Sequence, residues 1–191
     1  MVMSHTISLD HRLPSILAEL STAGSGVRAE PDEAAVYDAI TGAGRIFVLG
    51  AGRSGLALRM TAMRLMHLGL DVSVVGEVTA PAIRRGDLLL VASGSGRTAG
   101  ILRAAENAEE AGARILAITT DPDSPLAGLA DARILVPAPQ KQDHSGVASE
   151  QYAGSLFEQT LVLLGDALFH ELWQRSGAPA EELWTRHSNL E

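Results

Sequence analysis

The stretch of sequence that decides the fold is residues 45–55, RIFVLGAGRSG. Its first half is an apolar run typical of a buried strand, and its second half is a glycine-rich turn that carries a serine. Residues 87–98, DLLLVASGSGRT, have the same arrangement, with an apolar run followed by a loop of glycines and hydroxyls. Each loop leads into an alanine-rich stretch that we expect to be helical. The sequence therefore predicts two strand–loop–helix units of the same kind.

Both loops have the features of an anion-binding site. At the start of a helix, backbone N–H groups are free to donate hydrogen bonds and the helix dipole favours negative charge. Glycines let the backbone close around phosphate oxygens, and hydroxyl groups add direct hydrogen bonds. Because both loops follow strands of one predicted sheet, we expect them to hold a small phosphorylated ligand in one crevice. The candidate ligand-binding residues are Gly52, Arg53, Ser54, Ser93, Gly94, Ser95, Arg97 and Thr98.

The rest of the chain alternates between strand-like and helical patterns. This alternation predicts an α/β fold, with a parallel sheet covered by helices on both faces. The predicted strands are residues 45–49, 70–75, 87–92, 114–119 and 133–136. The predicted helices between them are residues 54–68, 98–111 and a short one at 125–130.

Helical segments are also predicted at both ends of the chain. Residues 9–43 read as an arm of two helices that precedes the first strand, and residues 137–148 read as a polar loop. Residues 149–191 read as a long helix over 149–175 followed by a tail with a short helix near 179–187. We see no internal repeat and no change of composition, so we expect residues 1–191 to form a single domain.

The composition limits the classes of function. A chain of 191 residues with 46% hydrophobic residues fits a globular domain. The absence of cysteine excludes disulfides and thiolate chemistry. A net charge of −8 argues against a nucleic-acid partner, and no apolar run approaches the roughly 20 residues that span a bilayer. The N-terminal residues lack a secretory signal pattern, so we expect a cytoplasmic protein.

A dinucleotide-binding protein is the competing interpretation of the first loop. Gly50, Gly52 and Gly55 match the G-x-G-x-x-G fingerprint, and Glu77 lies near the place of a ribose-binding carboxylate. That interpretation leaves the second loop without a role, and it needs a separate substrate domain for which the chain has no room. We therefore expect a small phosphorylated ligand rather than a dinucleotide, and no cofactor.

Several stretches of the chain resemble a known family, the sugar isomerase (SIS) domains, and among them the 6-phospho-3-hexuloisomerases. The two loops are typical of SIS domains in general, whereas the other stretches are more particular to the hexuloisomerases. Those other stretches are residues 63–69, MRLMHLG; residues 75–81, VGEVTAP; Phe157-Glu158; and the tail at residues 186–191, RHSNLE.

The resemblance implies a fold, an assembly and a reaction. The fold would be a five-stranded parallel sheet of flavodoxin-like order, in a homotetramer with no metal. The reaction would convert D-arabino-hex-3-ulose 6-phosphate to fructose 6-phosphate, a step of formaldehyde fixation by the ribulose monophosphate pathway. Moving the carbonyl needs a proton taken from C2 and one delivered to C3 through a 2,3-enediol, which one carboxylate can do. The resemblance points to Glu158 as this base, to His67 or His187 for protons on oxygen, and to Glu77 as a substrate-binding residue.

Other interpretations of these residues stay open. Glu158 could be a solvated carboxylate favoured by a helix dipole, His67 an ordinary residue near a helix end, and His187 a solvated tail residue. The chain could also be a non-catalytic SIS sensor of sugar phosphates, or an isomerase of another phosphosugar such as arabinose 5-phosphate. The remaining histidines, which show no metal-ligand spacing, are His5, His11, His144 and His170.

Overall fold

The computed structural model describes residues 9–143, 146–147 and 149–190. This part of the chain forms seven helices and six strands, whose order explains how the two loops come together. The helices are α1 (Leu9–Ser25), α2 (Glu33–Thr41), α3 (Gly52–His67), α4 (Ala99–Glu110), α5 (Pro125–Leu129), α6 (Ser155–Ser176) and α7 (Ala180–Trp184). The strands are β1 (Arg28–Glu30), β2 (Ile46–Gly50), β3 (Val72–Val74), β4 (Leu88–Ala92), β5 (Arg114–Thr119) and β6 (Ala132–Leu135).

The strands form one sheet in the order β1-β6-β5-β4-β2-β3. Strands β2 to β6 are the five predicted strands, and all their pairings are parallel. Read from the β3 edge, the five run 2-1-3-4-5 in chain order, which is the flavodoxin-like order. The prediction of α/β class, parallel pairing and flavodoxin-like order is therefore confirmed for these five strands.

The predicted number of strands was wrong, because the sheet has six. The additional strand β1 lies inside the N-terminal arm, between the two helices expected there, and pairs antiparallel with β6. A strand of three residues is too short to show an alternating pattern in the sequence. It is held instead by its partner: Arg133 Nε of β6 lies 2.5 Å from Glu30 Oε2 of β1, directly across the ladder.

Apolar residues cover the sheet on both faces, as predicted for a parallel sheet. Alternate residues of β2 face opposite sides: Ile46 packs with α2, α3 and α6, whereas Phe47 packs with α4 and α5. The same alternation continues in β4 from Leu88 to Leu89. With both faces covered, the polar loops that follow β2 and β4 can meet only at the carboxyl edge of the sheet.

Helix α6 begins at Ser155, six residues later than the predicted start at residue 149. Just before it, Ala153 and Gly154 have φ values of +46° and +79°, in the left-handed region that an α-helix cannot include. The late start puts Glu158 in the first turn of α6, where the helix meets the sheet edge.

Candidate active site

The two glycine-and-hydroxyl loops meet at the carboxyl ends of β2 and β4. These strands are neighbours in the sheet, with Gly50 opposite Ala92. Their connections leave in opposite directions, α3 leading outward to β3 and α4 to β5, so the loops flank a topological switch point. A cavity of about 150 Å³ lies there. It is lined by Ala51, Ser54, Ala92, Ser93, Gly94, Ser95, Thr98, Lys141 and Gln142.

Close backbone contact shapes the first loop. A Cβ atom on Gly50 would lie 2.8 Å from the backbone nitrogen of Gly55, so the end of β2 and the first turn of α3 leave no room for a side chain. Gly52 opens α3 with a φ of +58°. The tight turn places the Ser54 side chain, which is buried, in the cavity wall.

Hydrogen bonds within the chain hold the second loop in position. The carbonyl of Gly94 accepts from the Thr120 N–H at 3.0 Å and from the Thr120 hydroxyl at 2.9 Å. Within the loop, the Ser93 and Thr98 hydroxyl oxygens lie 3.1 Å apart. The Ser95 hydroxyl oxygen accepts from the Arg97 N–H at 3.3 Å. The cavity is therefore lined by hydroxyls whose positions are already set.

The helices that start at the cavity differ from two that start elsewhere. Helix α2 is capped by the Asp32 side chain and α5 by the Ser124 side chain, each of which accepts from a backbone N–H of the first turn. Among the described residues, no side chain caps the start of α3 or of α4. Their first N–H groups are left for water or a ligand, and the positive ends of both helix dipoles lie at the cavity.

Glu158 is a buried carboxylate held by two cations beside the cavity. Only 5% of the residue is exposed. Arg53 Nε lies 2.9 Å from its Oε2 atom, and Lys141 Nζ lies 3.2 Å from its Oε1 atom. The predicted residues Arg53 and Glu158 are thus brought together, and Lys141 joins them to the cavity wall.

His67 and His187 are brought together at the opposite end of α3. Their rings stack with centroids 4.0 Å apart, and the Trp184 ring lies 4.5 Å from that of His187. Arg186 donates to the carbonyl of His67 at 3.1 Å. Because α3 has 16 residues, its ends are about 24 Å apart at 1.5 Å per residue. Within one chain, therefore, neither histidine reaches Glu158.

The two histidines differ in exposure. His187 is exposed, whereas only 3% of His67 is exposed. Burial chiefly, with the nearby His187 and Arg64, holds the pKa of the His67 imidazole below its ordinary value of 6.5. His67 is therefore neutral at neutral pH, and of the two rings His187 is the one that another molecule can contact.

Arg97 and Glu77 lie outside the cavity wall, as do Gly52 and Arg53. Arg97 pairs with Asp121 at 3.1 Å. Glu77 pairs with Arg59 at 2.6 Å and lines a separate, more apolar hollow beside β2 and α4. A substrate contact for either residue stays a prediction.

Two residues that line the cavity from the loop after β6, Lys141 and Gln142, are not among the predicted site residues. The sequence predicts only a polar loop for residues 137–148. One signal was present in the sequence, because Lys141 is the single lysine of a chain whose Lys and Arg residues number 15.

Neither a metal site nor a membrane segment is found in the part of the chain that the structure describes. In that part, no group of three His, Cys, Asp or Glu side chains could hold a metal ion. His5 and His144 lie outside the described residues. None of the described helices is both long enough and apolar enough to cross a membrane.

Comparison with known proteins identifies the class of this fold and site. The SIS domain family model matches residues 39–163, which include both loops and Glu158.

The more similar relatives narrow the class further. A 3-hexulose-6-phosphate isomerase from Mycobacterium gastri is 59% identical over 170 residues, which cover 88% of this chain and 85% of the relative. Another from Bacillus subtilis is 39% identical over 178 residues, covering 92% of this chain and 95% of the relative. A crystal structure from Methanococcus jannaschii, described as inferring a function of 3-hexulose-6-phosphate isomerase, superposes with a TM-score of 0.80 at 30% identity, covering 94% of this chain and 99% of that one. The chain belongs to the 3-hexulose-6-phosphate isomerase family of SIS-domain proteins.

Proposed function

We propose that this chain converts D-arabino-hex-3-ulose 6-phosphate to fructose 6-phosphate in the cavity between β2 and β4. Membership of the family makes the chain an isomerase of 3-hexulose 6-phosphate. The observation that carries the choice of site is a cavity lined by four hydroxyl side chains next to a buried carboxylate. The hydroxyls belong to Ser54, Ser93, Ser95 and Thr98.

The phosphate of the substrate binds at the starts of α3 and α4 in this proposal. The uncapped N–H groups there and the surrounding hydroxyls supply hydrogen bonds to an anion. Fixing the phosphate also fixes the carbon chain, and such positioning contributes several kcal/mol to catalysis in general. Gly52, Ser93 and Gly94 contribute through the shape of the two loops.

Glu158 is the base of the proposed reaction. It removes the proton from C2, which leaves a 2,3-enediolate, and it delivers the proton to C3 on the same face. The negative charge of the buried carboxylate is balanced by Arg53 and Lys141. The protons on the two oxygens need a second group, and the family resemblance points to His67 or His187 for this step.

A second copy of the chain provides that histidine in the proposed assembly, a homotetramer of single-domain subunits. Leu56, Met60 and Met63 form an exposed apolar stripe along one side of α3, the helix that joins the cavity to the histidine pair. Exposed apolar stripes of this kind are typical of subunit contacts. Because His187 is exposed and stacked on His67, it is the ring that we expect to enter a neighbouring active site.

The proposed role in the cell is the second step of formaldehyde fixation by the ribulose monophosphate pathway, in the cytoplasm. The substrate has a ketone at C3 and a phosphate on O6, so it cannot close a five-membered ring through O6. It therefore reaches the cavity in its open-chain form, and the forward reaction needs no ring-opening base.

A turnover assay with several phosphosugars tests the proposal. Purified protein should form fructose 6-phosphate from the 3-hexulose 6-phosphate and should leave arabinose 5-phosphate unchanged. Binding of fructose 6-phosphate without turnover would instead indicate a sensor. Turnover of arabinose 5-phosphate at a comparable rate would indicate a different isomerase.

A further inference from the structure

Each of the two carboxylate oxygens of Glu158 is paired with a cation. Arg53 Nε lies 2.9 Å from one carboxylate oxygen and Lys141 Nζ lies 3.2 Å from the other. A carboxylate that takes a proton from carbon needs one of its oxygens within contact distance of that C–H group. A cation that moves away leaves its carboxylate oxygen free to approach such a C–H group.

Lys141 is held differently from Arg53. Arg53 belongs to the first turn of α3, whereas Lys141 comes from the loop after β6 and carries its charge at the end of a flexible four-carbon chain. The structure also makes room for this chain: a Cβ atom on Gly154 would lie 2.9 Å from Lys141 Cγ. Lys141 therefore passes over the start of α6 to reach Glu158.

Lys141 is also a wall residue of the cavity that holds the phosphate-binding hydroxyls. An ammonium group can donate charge-assisted hydrogen bonds to a carboxylate or to a phosphate, and at equal distance the larger negative charge of the phosphate attracts it more strongly. The same side chain can thus contact either Glu158 or the ligand without a change of the backbone.

We propose that Lys141 is a substrate-responsive partner of Glu158. Its ammonium group pairs with Oε1 of Glu158 and transfers to the phosphate when a phosphosugar binds. The transfer removes the cation from Oε1, so this oxygen faces the C2 proton without an ion-pair partner when substrate is bound. This inference rests on the proposed function of the cavity and adds a positioning residue to it.

Inorganic phosphate tests the competition directly. If Glu158 and phosphate compete for Lys141, Glu158→Gln should tighten phosphate binding several-fold, since the competitor is removed. Binding should weaken on the order of tenfold in Lys141→Met, as expected for the loss of one charge-assisted hydrogen bond. In the Lys141→Met/Glu158→Gln double variant, the tightening due to Glu158→Gln should disappear. An equal tightening in both backgrounds would overturn the proposal.

Steady-state kinetics separate this role from a permanent ion pair. Lys141→Met should raise KM on the order of tenfold and change kcat less than about threefold, since Oε1 is free in the substrate complex either way. Lys141→Arg should have a KM between those of the native protein and Lys141→Met. Arg103→Met, at an exposed position of α4, is the control for the loss of one positive charge. A fall in kcat at unchanged KM would show that Lys141 stays on Glu158 during turnover. No change in either constant would show a solvated charge, and both outcomes overturn the proposal.

The single lysine also gives a direct spectroscopic readout. Lysine labelled with ¹³C at Cε places one side-chain signal in the protein, that of Lys141. Fructose 6-phosphate should shift this signal at concentrations that saturate turnover. A signal that stays unchanged while the native protein turns over its substrate would overturn the Lys141 proposal and leave the proposed function intact. A protein without turnover would contradict the function itself.

Discussion

The two ends of helix α3 differ in how they are built. At its start, Gly52 and Ser54 lie in a turn that follows β2 directly, and the neighbouring loop is fixed by backbone hydrogen bonds. At its end, His67 is covered by His187, which is 120 residues later in the chain. The first end is specified by contiguous sequence, the second by docking of the tail. A reaction that needs both ends therefore depends on packing that no local motif contains.

The largest expected effect on activity is that of Glu158→Gln, which changes the carboxylate of α6 that lies at the start of α3. Glutamine keeps the shape of the side chain and removes the basic oxygen, so kcat should fall about a hundred- to ten-thousandfold, the range for general base catalysis. Binding of fructose 6-phosphate should not be weakened, since the loops are untouched. Stopped-flow turnover and calorimetric binding measure the two quantities. Glu171→Gln, on the exposed side of the same helix, is the matched control, and near-native turnover of Glu158→Gln would place the base elsewhere.

Removal of residues 184–191 tests the other end of α3. The truncation deletes Trp184, His187 and the Arg186 bond to the His67 carbonyl. Activity should fall roughly a hundredfold, the low end for loss of one proton-transfer group, while far-UV circular dichroism stays close to native. His187→Asn provides a milder version that keeps the tail. A fully active monomer, seen by light scattering with an activity assay, would disprove the contribution of a second copy.

Ser95→Ala should weaken the phosphate contacts at the start of α3 and α4. The loss of one hydrogen bond to a charged group costs about 1–3 kcal/mol, so fructose 6-phosphate should bind roughly five- to a hundredfold more weakly. Isothermal calorimetry measures this change, and Ser21→Ala, on the exposed face of α1, is the control. Unchanged affinity would move the phosphate to another site.

The smallest expected effect is on the pH dependence of stability, through His67 at the end of α3. The pKa of His67 is lowered in the folded protein, so below about pH 6.5 the unfolded chain binds this proton more readily than the folded chain does. Stability from this residue is therefore present at neutral pH and is lost as the pH falls through that region. His67→Asn should reduce the difference between the melting temperatures at pH 7.5 and pH 5.5, and the exposed His170→Asn should not. An unchanged difference in His67→Asn would show that burial of this ring has no role in acid sensitivity.

The sequence predicted what local patterns determine. Five parallel strands, four of them largely buried, give apolar runs that stand out from their helices, and the two loops follow two of these strands directly. Strand β1 is not predicted because three residues are too few to show a periodic pattern. The predicted start of α6 is too early because alanine, the residue at position 153, gives no sign in the sequence of a left-handed backbone conformation.

Contacts between distant segments could not be predicted from the sequence. Arg97 and Glu77 lie near the expected places but pair with Asp121 and Arg59. Lys141 reaches the cavity from a polar loop whose path depends on the packing of β6 and α6. In each case the contact forms between segments that are distant in the sequence. The residues next to each side chain in the sequence therefore do not reveal its partner.

The single lysine has a consequence for covalent chemistry. Reagents that attack amines or thiols find one side-chain target in this chain, because it has no cysteine and Lys141 is its only lysine. That target lines the cavity. The N-terminal amino group is the other amine that such a reagent can modify. Once that modification is accounted for, the mass added to the intact protein reports the fraction of Lys141 that has reacted.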